Sequence, residues 1–278
     1  LSWNSFFSGT KYYTFMISPE TSFYLKVKKK NKHSIFISKL YRDGFFDADS
    51  VSYRFVLPKG HLMSFSDTTT RSGYFTMTPK DFPDSTSYLS GIIHPEQTPP
   101  ALYFSNWFDE RTTPQISISE TVVPEELKTI QSTENRHVLA KACFNYVQRK
   151  IKYIDVENGI NAVIPRQCEN TLKKGLGDCK DMATVRTALY RYFGYEAYVG
   201  ISRTSGMEGI FDFPSVSLAN HSICVLKLED EWYFLDATED VCLFGDPSTQ
   251  ILGTEVFLIG RNEGYFIDVP SETRSVSN

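Results

Sequence analysis

The run Gly177-Asp178-Cys179-Lys180-Asp181-Met182-Ala183 constrains this chain more than any other segment. Beyond it, Met182, Val185, Leu189 and Phe193 recur at helical spacing and Gly194 supplies a stop. The pattern predicts a core-facing helix that opens at Cys179 and closes at Gly194. Asp178 stands where a helix is capped and Asp181 follows three residues on, which resembles a capping box with aspartate in both roles. A helix start carries unpaired backbone N–H groups and the positive end of the macrodipole, and both favour a thiolate over a thiol. Cys179 is therefore either a nucleophile or a small buried hydrophobe of the kind free cysteines commonly are.

A nucleophilic thiol needs a base, and the base needs a group to orient it. The segments Asn220-His221-Ser222-Ile223-Cys224-Val225-Leu226-Lys227-Leu228 and Trp232-Tyr233-Phe234-Leu235-Asp236-Ala237-Thr238 read as two β-strands joined by the acidic turn Glu229-Asp230-Glu231. With a two-residue turn at Leu228-Glu229, His221 faces Asp236 directly. With the turn at Glu229-Asp230, His221 faces Thr238 and Asp236 becomes its diagonal neighbour. In both registers the two side chains share a face and lie within reach; a three-residue loop would break that parity. His221 would then take the thiol proton, and Asp236 would hold the imidazole and stabilise the imidazolium.

Gly-Asp-Cys-Lys-Asp at a helix start, Asn-His on a strand, and Trp-Tyr-Phe-Leu-Asp-Ala-Thr on the next strand together resemble the transglutaminase-like superfamily, most closely its bacterial branch. The motifs fall within about residues 134–240. The resemblance implies a papain-like arrangement, with the Cys179 helix packed on an antiparallel sheet that carries His221 and Asp236. It also implies acyl chemistry on an amide through a thioester. The superfamily includes protein cross-linkers, peptidases and amidases that release sugars from asparagine, so the family does not fix the reaction. In that family a residue upstream of the cysteine often assists the oxyanion. Tyr153, in an Ile-x-Tyr that recurs in the bacterial branch, is the candidate for that role, with Asn161 and Gln167 behind it. No tryptophan lies in that region, so the tryptophan-assisted variant of animal cross-linkers is not implied.

From Glu134 to Lys150, Val138, Leu139, Ala142, Cys143, Tyr146 and Val147 recur at helical spacing, which predicts an amphipathic helix feeding the site. Before about residue 125 the character changes. Phe23, Leu25 and Val27, then Ile35 and Ile37, then Val51, Tyr53, Phe55 and Leu57 alternate with polar positions. Such period-two patterning predicts short antiparallel strands in a β-sandwich-like domain. Residues 61–115 read as irregular, and Ile116-Ser117-Ile118-Ser119 as a last strand before the linker Val123-Pro124-Glu125-Glu126. Tyr103, Phe104, Trp107 and Phe108 read as core, with a substrate cleft as the alternative. Arg203-Thr204-Ser205-Gly206-Met207-Glu208-Gly209 reads as a connection that could also gate the site. The fold class is thus α+β, with a β-rich domain over residues 1–124 and a transglutaminase-like catalytic domain over 125–278.

Composition bounds the partners. A net charge of −4 over 278 residues argues against nucleic acid or an anionic membrane surface. The run Lys26-Val27-Lys28-Lys29-Lys30-Asn31-Lys32 reads as a solvated hairpin turn. No stretch of about eighteen apolar residues occurs, so no integral membrane helix is expected. The chain starts at Leu1 without a recognisable signal peptide, as a trimmed or mature form would. Five cysteines without a Cys-x-x-Cys pair disfavour a disulfide framework and a structural zinc site. No metal or other cofactor is required by the thiol chemistry, and no acidic loop suggests calcium. The expected function is a cysteine-dependent amide hydrolase, peptidase-like, acting on a peptide or protein. Its rivals are a cross-linking glutamyl transferase that uses an amine acceptor and a non-catalytic binding module that keeps the fold. The bacterial resemblance implies an extracytoplasmic location, periplasmic or at the cell surface, and no pattern specifies an oligomeric state.

Overall fold

A computed structural model of the chain describes residues 2–4, 11–13, 37–42, 52–132, 135–155, 159–207, 211–239, 241–261 and 264–273. The first half is mainly strands: β1 (Ser2–Asn4), β2 (Lys11–Tyr13), β3 (Ile37–Tyr41), β4 (Tyr53–Val56), β5 (His61–Phe65), β6 (Thr70–Ser72), β7 (Tyr74–Met77) and β8 (Tyr88–Pro95). Helices α1 (Pro100–Ile116), α2 (Glu125–Gln131) and α3 (Arg136–Lys150) follow. Next come β9 (Lys152–Tyr153), α4 (Cys168–Lys174), β10 (Leu176–Gly177) and α5 (Cys179–Tyr192). The chain ends in β11 (Glu196–Ser202), β12 (His221–Leu228), β13 (Glu231–Leu235), β14 (Glu255–Leu258) and β15 (Tyr265–Asp268). The fold is α+β.

The C-terminal strands form one antiparallel sheet in the order β13-β12-β11-β14-β15, and α5 packs on β11 and β12. Both faces of this sheet are buried, as the alternation along β12 requires: Cys224, Leu226 and Leu228 join the core around α5, while Ile223 and Val225 join Phe234, Val256 and Leu258 on the other side. Each fully buried side chain of this size contributes about 1.5–3 kcal/mol, so α5 is clamped rather than merely docked. Residues 180–190 of α5 are all buried, beyond the expected stripe of Met182, Val185, Leu189 and Phe193. The helix stops at Gly194 as the sequence predicts. Gly194 adopts φ +77°, its N–H donates to the Arg191 carbonyl at 3.1 Å, and the Tyr195 N–H reaches the Tyr190 carbonyl at 3.0 Å. That pair of bonds is a Schellman motif, with glycine at the left-handed position.

The N-terminal strands form a four-stranded sheet, β3-β8-β5-β6, beside the pair β4-β7. Leu40, Met63, Phe65, Met77, Phe82 and Leu89 make their apolar cluster, and Phe65 meets Phe75 edge-on across it. The strands expected at residues 23–27, at Ile35 and at Val51, and the basic turn at 26–32, lie outside the described residues. The stretch 61–115, expected to be irregular, is not: it holds strands β5 to β8 and then helix α1 over 100–116, and 117–119 are not a strand. Pro100 opens α1 at its first position, and Phe104, Trp107, Phe108 and Thr112 give it a buried face in the core around α5. The aromatic residues there are core, not cleft. In α3 the buried set is Leu139, Ala140, Cys143, Phe144 and Val147, with Val138 exposed. The buried face is thus rotated from the expected one, with Ala140 and Phe144 turned inward in place of Val138, Ala142 and Tyr146.

Gly200 lies in the central strand, where an added Cβ would stand 2.5 Å from Val256 Cγ1 and 3.1 Å from Val225 Cγ2. Both neighbours are β-branched core side chains with little freedom to move. Gly200→Ala should cost about 1–3 kcal/mol, read as a lower midpoint in urea unfolding. An unchanged midpoint would mean that the sheet yields there.

Candidate active site

Cys179 is placed by three local devices. Gly175, at φ +64°, ends α4, and its carbonyl accepts the Lys152 N–H at 2.9 Å. The next two residues form β10 and pair in parallel with β9, Leu176 against Lys152 and Gly177 against Tyr153. Asp178 then caps α5. Its side chain accepts the Asp181 N–H at 3.3 Å, while the Asp181 carboxylate accepts the Asp178 N–H at 3.2 Å. This is the anticipated capping box. Gly177 is needed beside it, since a Cβ there would lie 2.9 Å from the Asp181 Cβ.

Both carboxylates are buried, and both have cations. Lys180 Nζ donates to Asp178 at 2.7 Å, and Arg166 bridges Asp178 and Asp181 with its guanidinium while its N–H donates to Asp181 at 2.7 Å. Burial and the neighbouring Asp181 charge push the Asp178 carboxyl up, against the pull of Lys180. Arg166 was not singled out from sequence, because nothing local marks a residue twelve positions upstream as the partner of a helix cap.

His221 and Asp236 meet through the second of the two registers. Leu228 pairs with Glu231, so the turn is Glu229-Asp230, with Glu229 at φ +57°. Continued past β13, that register sets Thr238 opposite His221 and Asp236 on the diagonal. His221 Nε2 lies 2.7 Å from Asp236 Oδ2, and their side chains are 7% and 0% exposed. Asp236 is held independently of the histidine: Thr238 donates from N and Oγ1 to Oδ1 at 2.9 and 2.8 Å, and Ser248 Oγ donates to Oδ2 at 2.9 Å. Burial pushes the Asp236 carboxyl up, but the bond to His221, its charge and the Thr238 donors outweigh that and hold it well below the usual carboxylate range. An ionised Asp236 must accept, so His221 Nε2–H donates and Nδ1 is left to face the thiol. Burial alone would lower the His221 pKa; hydrogen bonds to Asp236 and to the Cys179 sulfur raise it instead to about 10. The fold thus brings Cys179, His221 and Asp236 into one chain of contacts.

Tyr153 comes beside the Cys179 turn by way of β9, with its backbone against Gly177 and the residue 42% exposed. Asn161 sits in a single 3-10 turn, and Gln167 precedes α4 with its side-chain oxygen accepting from Asn170 at 3.4 Å, a local bond at a helix start. Of the segment after β11, residues 203–207 are tied down, while 208 and 209 lie outside the described residues. Arg203 bonds Glu255 at 3.1 Å and the Met207 carbonyl at 2.9 Å, and Thr204 and Asn220 exchange two hydrogen bonds. Asn220 immediately precedes His221, so this knot also fixes where β12 begins.

Residues 127–237 match the family model described as the transglutaminase-like superfamily. This segment belongs to that superfamily. The match spans the feeding helix α3, the Cys179 turn, β12 with His221, and β13 with Asp236 just after it, and it stops one residue past Asp236. A candidate protease from Parabacteroides distasonis aligns over 86% of this chain and 42% of its own, at 9% identity and a TM-score of 0.48, so this chain spans less than half of that protein. A candidate cysteine protease from Cytophaga hutchinsonii aligns over 87% of this chain and 78% of its own, at 13% identity and a TM-score of 0.35. A structure described as a TGase aligns over 73% of this chain and 55% of its own, at 10% identity and a TM-score of 0.33. No curated protein matches the chain. Among the described residues no helix is long and apolar enough to cross a membrane.

The raised His221 pKa makes a stability prediction. Its folded value of about 10 exceeds the ordinary histidine value of 6.5, so its contribution is complete below pH 6.5 and is lost as pH rises through about 10. Thermal melts should therefore fall steadily across that window. In His221→Gln the melting temperature should be lower overall and nearly flat over the same range. A wild-type curve without that slope would mean that the buried ring is neutral.

Proposed function

We propose that the protein is a cysteine-dependent amide hydrolase acting on a peptide or protein. The Cys179 thiolate attacks the amide carbonyl carbon, forming a C–S bond and an oxyanion. The Cys179 backbone N–H, first in its helix and without an intrahelical acceptor, donates to that oxyanion, and Tyr153 is the candidate second donor. The His221 imidazolium passes its proton to the departing nitrogen as the C–N bond breaks and the thioester forms. Water then attacks the thioester, His221 takes its proton, and the C–S bond breaks to release the acid and restore the thiolate–imidazolium pair. Asp236 keeps the ring oriented throughout and stabilises its charged form.

The observation that carries this reading is the bridging position of His221 between the Cys179 sulfur and a firmly held Asp236. The other cysteines support it by contrast. Burial pushes the thiols of Cys143 and Cys242 up to about 12 and those of Cys168 and Cys224 up to about 11. At neutral pH such thiols are ionised to about one part in ten thousand or less, whereas the Cys179 sulfur is hydrogen-bonded to the His221 imidazole. A polypeptide substrate is favoured by the exposed apolar side chains on the two segments adjoining the site. Tyr153 and Leu176 lie on the strands that enter the Cys179 turn, and Val241 and Leu243 follow Asp236.

The test is iodoacetamide labelling at about pH 6.5 with mass spectrometry of all five cysteines. Cys179 should react at least about tenfold faster than any other, and His221→Ala should remove that advantage. Cys179→Ala should reduce cleavage of a fluorogenic casein by about a thousandfold or more. Incorporation of a labelled amine without cleavage would replace the hydrolase with a transferase, and equal labelling of all cysteines would sink the thiol mechanism.

A further inference from the structure

Four lysines meet beside the turn that carries Cys179, and they come from separate segments. Lys150 is the last residue of α3 and Lys152 the first of β9, while Lys173 and Lys174 close α4. The backbone joins the two pairs at Gly175. The Gly175 carbonyl accepts the Lys152 N–H at 2.9 Å, and a Cβ added there would lie 3.2 Å from the Lys150 carbonyl oxygen. Leu176 then pairs with Lys152, and Cys179 follows three residues later.

All four lysines are exposed, and none of their ammonium groups is in an ion pair among the described residues. The carboxylates nearby are mostly engaged: Glu126 is matched with Arg149 at 3.5 Å, and Glu169 accepts the Ser119 N–H at 2.7 Å. Asp155, two residues past β9, can offset one of the four charges. A lysine at a helix C-terminus complements the dipole, which accounts for some positive charge at each helix end. It gives no reason for the two ends, with Lys152 added, to converge beside Cys179 in a chain whose net charge is −4.

The surface at this point suits an extended polypeptide. Leu176 is 41% exposed. The N–H groups of Lys152 and Ile154 bond the carbonyls of Gly175 and Gly177, on either side of it, so the Leu176 N–H and carbonyl turn away from β9. Neither has a partner among the described residues. An exposed apolar side chain with an unused main-chain donor and acceptor is what an added strand pairs with. The ammonium groups beside it select for carboxylates on that strand.

We propose that Lys150, Lys152, Lys173 and Lys174 form a substrate-recognition surface for an acidic stretch of the polypeptide, which lies extended past Leu176 while its amide reaches Cys179. The inference deepens the proposed hydrolase and rests on that reading of Cys179. Three residues of chain span at most about 10 Å, which is also the screening length at about 0.1 M salt. The lysine charges are therefore felt by whatever approaches the thiol.

The experiment uses three iodoacetyl-capped peptides, one of Glu and Leu, one with Gln for Glu and one with Lys for Glu. Their rates of labelling Cys179 in the full chain are read by mass spectrometry. The ratio of the acidic to the Gln peptide cancels the reactivity of the thiol itself. In wild type that ratio should be at least about five, with the Lys peptide slowest, and should fall towards one in about 1 M salt. Changing all four lysines to Gln should abolish the preference. Lys150→Gln with Lys152→Gln, and Lys173→Gln with Lys174→Gln, should each remove part of it, which serves if the fourfold variant does not fold. Lys59→Gln with Lys80→Gln, on the N-terminal half, should leave it unchanged. A wild-type ratio near one, or a preference that survives without the four lysines, overturns the proposal. Lysine-dependent binding to phosphatidylserine vesicles without a peptide preference overturns it too, and gives the surface to a membrane. Iodoacetamide is run on the same samples. Fast labelling of Cys179 with no peptide preference overturns this inference alone, whereas a Cys179 no faster than the other cysteines overturns the proposed function as well.

Discussion

A helix that is buried along nearly its whole length has a difficult beginning. Its first N–H groups have no intrahelical acceptors, and the positive end of its dipole sits where water cannot screen it. In α5 this is resolved by two enclosed carboxylates, Asp178 and Asp181, which accept each other's backbone N–H. Their charges are then balanced by Arg166 and Lys180. The rest of the site depends on this cluster, because it fixes the rotation and height at which Cys179 leaves the core. Taking away one member would leave a buried charge unmatched, a loss of about 3–5 kcal/mol, and would let the cysteine turn drift from the histidine.

The second half of the site is stiff for an unrelated reason. Asp236 follows the last residue of β13 and would be free to rotate there. Thr238 ties one carboxylate oxygen from both its backbone and its hydroxyl, and Ser248 reaches the other from a later segment. The imidazole therefore docks on an acceptor already in place. At the start of β12, directly before His221, Asn220 is tied to Thr204. Histidine and aspartate are thus each anchored to something other than one another, which keeps their separation short without either having to hold the other.

What was legible in the sequence was what is decided locally. The capping box and the Gly194 stop follow from residues within a few positions of each other, the parity of His221 and Asp236 follows from one short hairpin, and each was readable. The choice between two turn registers was not, because Glu229 adopts a positive φ that no glycine or asparagine announces. Helix α1 was missed although Phe104, Trp107 and Phe108 recur at helical spacing after Pro100. Thr112, Thr113 and Pro114 obscured it, and only packing against the large core outweighs their poor helix propensity. Arg166 and Ser248 were invisible for a third reason: their partners come from distant segments, and a single sequence carries no sign of such meetings.

The placement of buried charge separates the two halves of the molecule in kind. In the N-terminal sheet the buried polar groups are satisfied by hydroxyls and carbonyls, as where Ser64 meets His94 at 2.8 Å and His94 reaches the Thr98 carbonyl at 2.8 Å. Around α5 they are ions. Core packing of the same volume would hold that helix at least as well, since buried ion pairs are often no more stabilising than apolar replacements. The buried charges among the described residues gather on one helix and at the strand end that receives His221. Because Asp178, Lys180 and Asp181 all belong to the cap and first turn of α5, a change that loosens that turn would disturb the whole cap at once and let Cys179 drift from the histidine, while the core along the rest of the helix still holds it.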